Sequence, residues 1–275
     1  MRLIIEKNYE AVSLWTARYI AAKIAAFRPA PERPFVLGLP TGGSPLGVYR
    51  ELIRLHQSEG LSFASVLTFN MDEYSGLGAE DPRSYHRFMA DNFFSHIDIK
   101  PENTHILDGL AADSDAECAA FEQKILDSGG VELFLGGVGE DGHIAFNEPF
   151  SSLHSRTRVK TLTWSTRNAN ARFFGGDSAS VPATALTVGI GTIMDARELL
   201  IIASGKNKAQ ALRNGIEGAV SHACPLSVLQ LHRRSIMVCD EDAACALKDE
   251  TVQYFKELEG LSCKSAEGIH EKPVS

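Results

Sequence analysis

The sequence predicts an α/β fold in which helices cover both faces of a mostly parallel β-sheet, in a single domain. Short apolar runs alternate with amphipathic stretches along the chain, which is typical of parallel strands joined by helices. Its 275 residues are 44% hydrophobic, enough to form a buried core. No internal repeat, low-complexity tract or Pro/Ser-rich linker divides it. We therefore expect one domain over residues 1–260 and a polar tail over residues 261–275.

The individual elements follow from their hydrophobic patterns. Apolar runs predict six strands, at residues 35–39, 66–70, 132–136, 185–190, 199–203 and 236–239. Apolar residues at helical spacing predict a helix over residues 9–27. A second helix is expected to begin at a capping box of Ser114 and Glu117 and to stop at residues 129–130, and a third covers 242–258. In such sheets ligands bind beyond the carboxyl ends of the strands, so residues directly after strands are candidates for chemistry.

Charge and cysteine content exclude several classes of protein. The net charge is -8, from 35 acidic and 27 basic residues, whereas a nucleic-acid-binding protein usually has a basic excess. The five cysteines are odd in number and lack Cys-x-x-Cys spacing, which favours a reducing cytosol over a disulfide framework or zinc ribbon. There is no signal-peptide run and no stretch of about 18 uncharged apolar residues. The sequence thus predicts a cytoplasmic protein with no nucleic-acid or membrane partner.

A glycine-rich loop after the first predicted strand is a candidate phosphate site. Gly42 and Gly43 precede Ser44, which we expect to cap a helix, and Pro45 suits the first helical position. Free backbone N–H groups and the helix N-terminus favour an anion there. An ordinary strand-to-helix turn explains the same residues equally well. The loop matches neither a phosphate-binding Walker A loop nor a hydrolase nucleophile elbow.

Two adjacent acids, Asp72 and Glu73, follow the second predicted strand. A carboxylate at the mouth of a strand can act as a general base. On position alone, a solvated loop charge is the stronger interpretation.

A histidine loop follows the third predicted strand. Its glycines form a Gly-x-Gly-x-x-Gly pattern over residues 137–142, but the acids inside it and the missing acid about 20 residues on argue against a dinucleotide site. His143 lies near Asp141 and Glu148 in sequence, and a neighbouring carboxylate raises the basicity of imidazole. A proton shuttle is the first interpretation, a structural histidine the second, and a metal site a distant third.

Residues 149–176 contain no acid. A solvated basic face is the usual meaning of such a run, but in an acidic protein it also favours an anion site. Lys206 and Lys208 follow a later strand and could add a phosphate contact. The basic residues of the window are Arg156, Arg158, Lys160, Arg167 and Arg172.

Together these residues fit acid–base chemistry on a small phosphorylated metabolite, with no metal or nicotinamide signature. Four segments are more specific than that: residues 37–45, 69–74, 136–149 and 155–163. With them the chain closely resembles the glucosamine-6-phosphate deaminases, from Met1 to about residue 259. The resemblance implies a Rossmann-like fold and no cofactor. It also implies conversion of glucosamine 6-phosphate and water to fructose 6-phosphate and ammonia.

The resemblance also implies roles for particular residues. Asp72 would be the base for enolisation, and His143 would open the sugar ring, supported by Asp141 and Glu148. Residues that would hold the substrate, largely by its phosphate, or line the sugar are Gly42, Gly43, Ser44, Gly137, Val138, Gly139, Arg172 and Lys208.

Some members of the family are hexamers activated by N-acetylglucosamine 6-phosphate. The resemblance therefore implies an allosteric homo-oligomer with an activator site at Ser151, Arg158, Lys160, Thr161 and Tyr254. The chain departs from the family pattern at Glu140, where many relatives have a neutral residue, at Phe150, and at residues 223–225 after His222.

Two other functions compete with the deaminase. A 6-phosphogluconolactonase-like hydrolase would release no ammonia, and residues 70–74 disfavour it. A non-catalytic sugar-phosphate sensor would bind without turnover, which the presence of Asp72, Asp141, His143 and Glu148 disfavours.

Overall fold

Seven parallel strands form the main sheet. The computed structural model describes residues 1–267, with side chains through residue 260. The main sheet has the strand order β1-β10-β9-β6-β2-β3-β5, and a small antiparallel sheet has the order β4-β8-β7. The strands are β1 (Arg2–Glu6), β2 (Phe35–Leu39), β3 (Val66–Asn70), β4 (Asp72–Tyr74), β5 (Thr104–His105), β6 (Leu133–Gly137), β7 (Arg158–Thr161), β8 (Thr184–Thr187), β9 (Leu199–Ala203) and β10 (Ser235–Asp240).

The predicted mostly parallel sheet is confirmed, and β2, β3 and β9 have the predicted bounds. Strands β6 and β10 each differ from the prediction by one residue at both ends. The predicted strand 185–190 is wrong in two respects. It ends at Thr187 and pairs in the small sheet, and a helix already begins at Ile190. Leu186 and Val188 are nevertheless buried in the same apolar cluster as main-sheet residues such as Phe69, which explains their apolar pattern.

Helices pack on both faces of the main sheet. Helices α1, α2 and α3 bury one apolar cluster and the helices later in the chain bury the other. No helix within residues 1–267 is both long and apolar enough to cross a membrane. The helices are α1 (Tyr9–Phe27), α2 (Leu46–Glu59), α3 (Tyr85–Asn92), α4 (Ser114–Asp127), α5 (Trp164–Asn170), α6 (Ile190–Met194), α7 (Ala209–Ile216), α8 (Glu241–Ala244) and α9 (Asp249–Glu267).

The observed N-terminus agrees with the sequence prediction for α1 and differs from it for α2 and α4. Helix α1 has the predicted bounds, because the Asn8 side chain caps it by accepting from the Ala11 amide at 3.0 Å. The predicted cap Ser114 is wrong: Asp113 is the N-cap of α4 and accepts from two amides of its first turn. Ser44 does not cap α2 either, since that helix begins at Leu46 without a side-chain cap.

The predicted helix 242–258 is two helices. Helix α8 ends at Ala244, and the amide of Lys248 donates to the Glu217 carboxylate at 2.7 Å before α9 begins. Helix α9 extends through Glu267, so the expected boundary at residue 260 falls within it. Residues 268–275 of the expected tail lie outside the described residues.

Candidate active site

A cavity of about 390 Å³ lies at the carboxyl ends of the main-sheet strands. It is the position at which open parallel sheets bind ligands. The loops after β2, β3, β6 and β9 contribute to it, and α5 with the residues after it forms a further wall. The predicted residues on its surface are Gly42, Gly43, Ser44, Asp72, Gly137, Val138, Gly139, Asp141, His143, Arg172 and Lys208.

The glycine-rich loop forms one end of this cavity. Gly42 has a φ of 88°, a conformation that glycine adopts without strain. The hydroxyl of Tyr9 accepts from the Gly47 amide at 2.7 Å and donates to the Gly43 carbonyl at 3.3 Å, which holds the loop against α1. A Cβ atom at Gly42 or Gly43 would meet nothing within 4 Å, so their backbone faces open space.

Two cations line the cavity with this loop. Arg172 stacks over the Phe173 ring at 4.7 Å, and Lys208 is half-buried after β9. Burial lowers the pKa of Lys208, and the charge of Arg172 acts in the same direction, against the opposing charges of Glu140 and Asp141. Neither cation forms a salt bridge within residues 1–260. Two positive groups beside free backbone amides are an arrangement that can bind an anion.

Asp72 lines the cavity. It is the first residue of β4, and only 6% of it is exposed. Burial, followed by the charge of Glu73, raises its pKa from 3.8 to about 8. An empty site therefore holds this carboxyl mostly protonated at neutral pH, and a cationic ligand would favour the carboxylate.

Glu73 points away from the cavity, since neighbouring residues of a strand face opposite sides. Its carboxylate accepts from the amides of Tyr85 and His86 at 3.1 Å each. It thus fixes the N-terminus of α3 and is structural, whereas Asp72 is available to a ligand. Sequence position alone did not separate the two acids.

The histidine loop turns His143 back onto Asp141. Nδ1 of His143 lies 2.6 Å from Oδ1 of Asp141, whose carboxylate also accepts the His143 amide. Partial burial acts to raise the pKa of Asp141, but the side-chain hydrogen bond to His143, the charge of His143 and the backbone hydrogen bonds together outweigh it, so the pKa lies below its usual value. A Cβ atom at residue 139 would lie 2.0 Å from the imidazole, so only glycine fits there. The pairing leaves Nε2 of His143 as the nitrogen free for proton transfer.

Glu148 lies elsewhere than the sequence implied. Its buried carboxylate accepts from the amide of Thr163 at 3.1 Å and from the hydroxyls of Thr163 and Thr166. These groups belong to the N-terminus of α5, so the hydrogen bonds of Glu148 join the histidine loop to α5. Among the described residues none of its hydrogen bonds goes to His143.

Several cavity residues were not predicted from sequence. Tyr85 begins α3, Thr41 follows β2, and Asn170 ends α5. Ser84 caps α3 by accepting from Arg87, a signal that sequence reading could have found. The position of α3 beside the cavity depends on the hydrogen bonds from its first amides to Glu73 of β4. The local sequence of α3 does not show these contacts.

The five predicted activator residues fall into two groups. Arg158, Lys160 and Thr161 lie on β7, which packs against α4, and Ser151 lies on the preceding loop. Tyr254 lies on α9, which packs against the edge strand β1. Burial lowers the pKa of Arg158.

No group of three or more potential metal ligands occurs among the described residues.

The chain is similar in sequence to proteins of known family. Residues 7–238 match the family described as glucosamine-6-phosphate isomerases/6-phosphogluconolactonase. The chain is 59% identical over 259 residues to a glucosamine-6-phosphate deaminase of Bacteroides fragilis, covering 94% of this chain and 96% of the relative. It is 61% identical to that of Tolumonas auensis, covering 94% and 97%.

Solved structures agree. A monomeric glucosamine-6-phosphate deaminase superposes with a TM-score of 0.85 at 46% identity, covering 90% of this chain and 100% of that chain. A 6-phosphogluconolactonase from Trypanosoma cruzi has a TM-score of 0.72 at 19% identity, covering 90% and 97%, and shares the fold. The chain therefore belongs to the glucosamine-6-phosphate isomerase/6-phosphogluconolactonase family.

Proposed function

We propose that this chain converts glucosamine 6-phosphate and water to fructose 6-phosphate and ammonia. The observation that carries the proposal is the position of Asp72, a buried carboxyl of raised pKa in the same cavity as the Asp141–His143 pair and two cations. The high identity to curated deaminases supports the same reaction.

Each step has a group in the cavity. Arg172, Lys208 and the glycine-rich loop bind the phosphate and orient the sugar. His143, oriented by Asp141, removes the proton of the anomeric hydroxyl and returns it to the ring oxygen, which opens the ring. Glu148 acts in this step through the contacts of the histidine loop with α5.

Asp72 then moves a proton between two carbons. Burial disfavours the carboxylate form of Asp72 in the absence of substrate, and the nearby ammonium at C2 of the bound sugar favours it. The carboxylate removes the C2 hydrogen while one ammonium proton passes to the C1 oxygen, which gives an enolamine. The resulting carboxylic acid of Asp72 delivers its proton to C1, which leaves an iminium group at C2. Water adds to this group, and ammonia is released.

Ammonia release tests the proposal. Purified protein and glucosamine 6-phosphate are incubated with a chelator, and ammonia and fructose 6-phosphate are measured in equal amounts. Asp72→Asn should lose most turnover yet still bind the substrate, whereas the matched surface variant Asp127→Asn should keep it. Full activity of Asp72→Asn would contradict the role of Asp72. Hydrolysis of 6-phosphogluconolactone without ammonia release, or binding without turnover, would replace the proposal with a lactonase or a sensor.

We further propose that N-acetylglucosamine 6-phosphate activates a homo-oligomer, a hexamer by family resemblance. Within one chain, α4 packs near β3 through Phe121 and Phe69, whereas α9 packs on β1 at the other edge of the main sheet. This separation supports a ligand that contacts Lys160 of one copy and Tyr254 of another. The solved deaminase relative is monomeric, so mass measurement in solution is the direct test. A monomer whose rate curve is hyperbolic and unchanged by the effector would remove this proposal.

We also place the reaction in the cytoplasm. Fractionation of the source cells tests this, and recovery of the protein with membranes or outside the cell would contradict it.

A further inference from the structure

A third carboxylate lies beside the cations of the proposed phosphate site. Glu140 lines the cavity together with Arg172 and Lys208. Nδ2 of Asn207 donates to Oε1 of Glu140 at 2.7 Å. Asn207 directly precedes Lys208 in the short turn Lys206–Lys208, so one turn holds both the cation and the partner of the carboxylate.

The proposed chemistry does not use this carboxylate. Asp72 is the base, and Asp141 is paired with His143 at 2.6 Å. Within residues 1–260, Glu140 forms no salt bridge, and the side chain that donates a hydrogen bond to it is a neutral amide. An amide orients the carboxylate without cancelling its charge.

A free negative charge here opposes anion binding. Glu140 is near enough to Lys208 for its charge to raise the pKa of that ammonium group, against the larger effect of burial. A phosphate group bound by Lys208 would therefore lie within the field of Glu140, and like charges repel. Exposure of the carboxylate and salt weaken the repulsion, which leaves about a three- to tenfold change in affinity for a doubly charged phosphate.

We propose that Glu140, oriented by Asn207, is a specificity-determining residue that weakens phosphate binding and thereby speeds the release of phosphorylated sugars. The inference deepens the proposed function and rests on it for the identity of the sugar. Its physical basis, repulsion between a fixed carboxylate and a bound phosphate, is independent of turnover.

Calorimetric titration with inorganic phosphate tests the proposal. The variants are Glu140→Gln, which keeps the side-chain shape and removes the charge, and Glu102→Gln as control. Glu102 precedes β5, at the other end of the strands from the cavity, and its replacement changes the net charge equally. Glu140→Gln should bind phosphate about three- to tenfold more tightly at low salt, with a smaller gain at high salt, and Glu102→Gln should match the wild type.

Kinetics and an uncharged ligand complete the test. The KM for glucosamine 6-phosphate should fall by a similar factor, and the affinity for unphosphorylated fructose, which carries no charge, should stay unchanged. Asn207→Ala should shift phosphate affinity in the same direction by a smaller factor. Unchanged or weaker phosphate binding by Glu140→Gln, an equal change for fructose, or no phosphate binding by either protein would overturn the proposal. Absence of ammonia release by the wild type would instead refute the proposed function and leave the phosphate titration valid.

Discussion

Replacing Asp72 with asparagine should stabilise the protein at alkaline pH while it removes the proton acceptor. Burial, followed by the charge of Glu73, raises the pKa of Asp72 from 3.8 to about 8. The folded state prefers the protonated form of such a carboxyl, so ionisation costs stability. The full stability is present at a pH below the pKa of the unfolded chain, and it is lost as the pH rises through the pKa of the folded protein. The wild type should thus lose stability between about pH 4 and pH 8 from this group, and the asparagine variant should not.

The magnitude follows from the pKa difference between the two states. About 8 against 3.8 is about 4 pKa units, which corresponds to an upper limit of about 6 kcal/mol at about 1.4 kcal/mol per unit. Relaxation and water entry around the ionised group reduce this, so we expect about 2–3 kcal/mol. For a chain of this size that is about 5–10 °C in Tm.

Calorimetric melting at several pH values measures this effect. Wild type, Asp72→Asn and the surface control Asp127→Asn are melted between pH 5 and pH 8.5 in phosphate-free buffer, because a bound anion would itself stabilise the fold. The gain of Asp72→Asn should be smallest at pH 5, about a third of its full size, and largest at pH 8.5, with no trend in the control. A gain that is the same at both pH values, or a variant that melts below the wild type at pH 8.5, would refute the reasoning.

Three further predictions follow from the site and the fold. His143→Asn should lower kcat for ammonia release about 10²–10⁴-fold, and a loss under threefold would exclude the proposed shuttle. Glu148→Gln should loosen α5, so that limited proteolysis cuts within residues 164–180 faster and KM rises more than kcat falls; an unchanged cleavage rate would contradict the link to α5. Gly189→Ala places a Cβ atom 1.9 Å from the Ser155 carbonyl oxygen, so the free energy of unfolding measured in urea should fall by about 2–4 kcal/mol. Gly260→Ala is the control: its Cβ atom would face open space, so the variant should be as stable as the wild type or slightly more stable.

The hydrophobic pattern was sufficient to predict the central strands of the main sheet, but not its edge strand β5 or strand β7 of the small sheet. Central strands such as β9 are buried on both faces and consist of apolar residues throughout, so their sequences are unambiguous. Strand β5 has only two residues, too few for a pattern. Strand β7 is only partly buried and carries Arg158 and Lys160. The sequence analysis therefore identified this segment as part of a basic stretch and did not predict a strand.

The same limit applies to the site. Residues that directly follow strands, such as Asp72 and Lys208, could be placed from sequence because the ends of parallel strands meet at one edge. Glu148 could not, because its partners Thr163 and Thr166 come from another part of the chain. Tyr85 reaches the cavity only because Glu73 holds the start of its helix, a contact between residues 12 positions apart that no local pattern encodes.

Met71 is the single residue between the last position of β3 and the first of β4. Its amide donates to the Leu39 carbonyl at 3.0 Å, and its carbonyl accepts from the Val188 amide at 2.8 Å. The chain is thus pinned on both sides immediately before Asp72, by main-chain groups that every amino acid except proline shares. Surrounding side chains can therefore be exchanged without displacing Asp72. Substitutions near this residue should change its pKa more readily than they change its position.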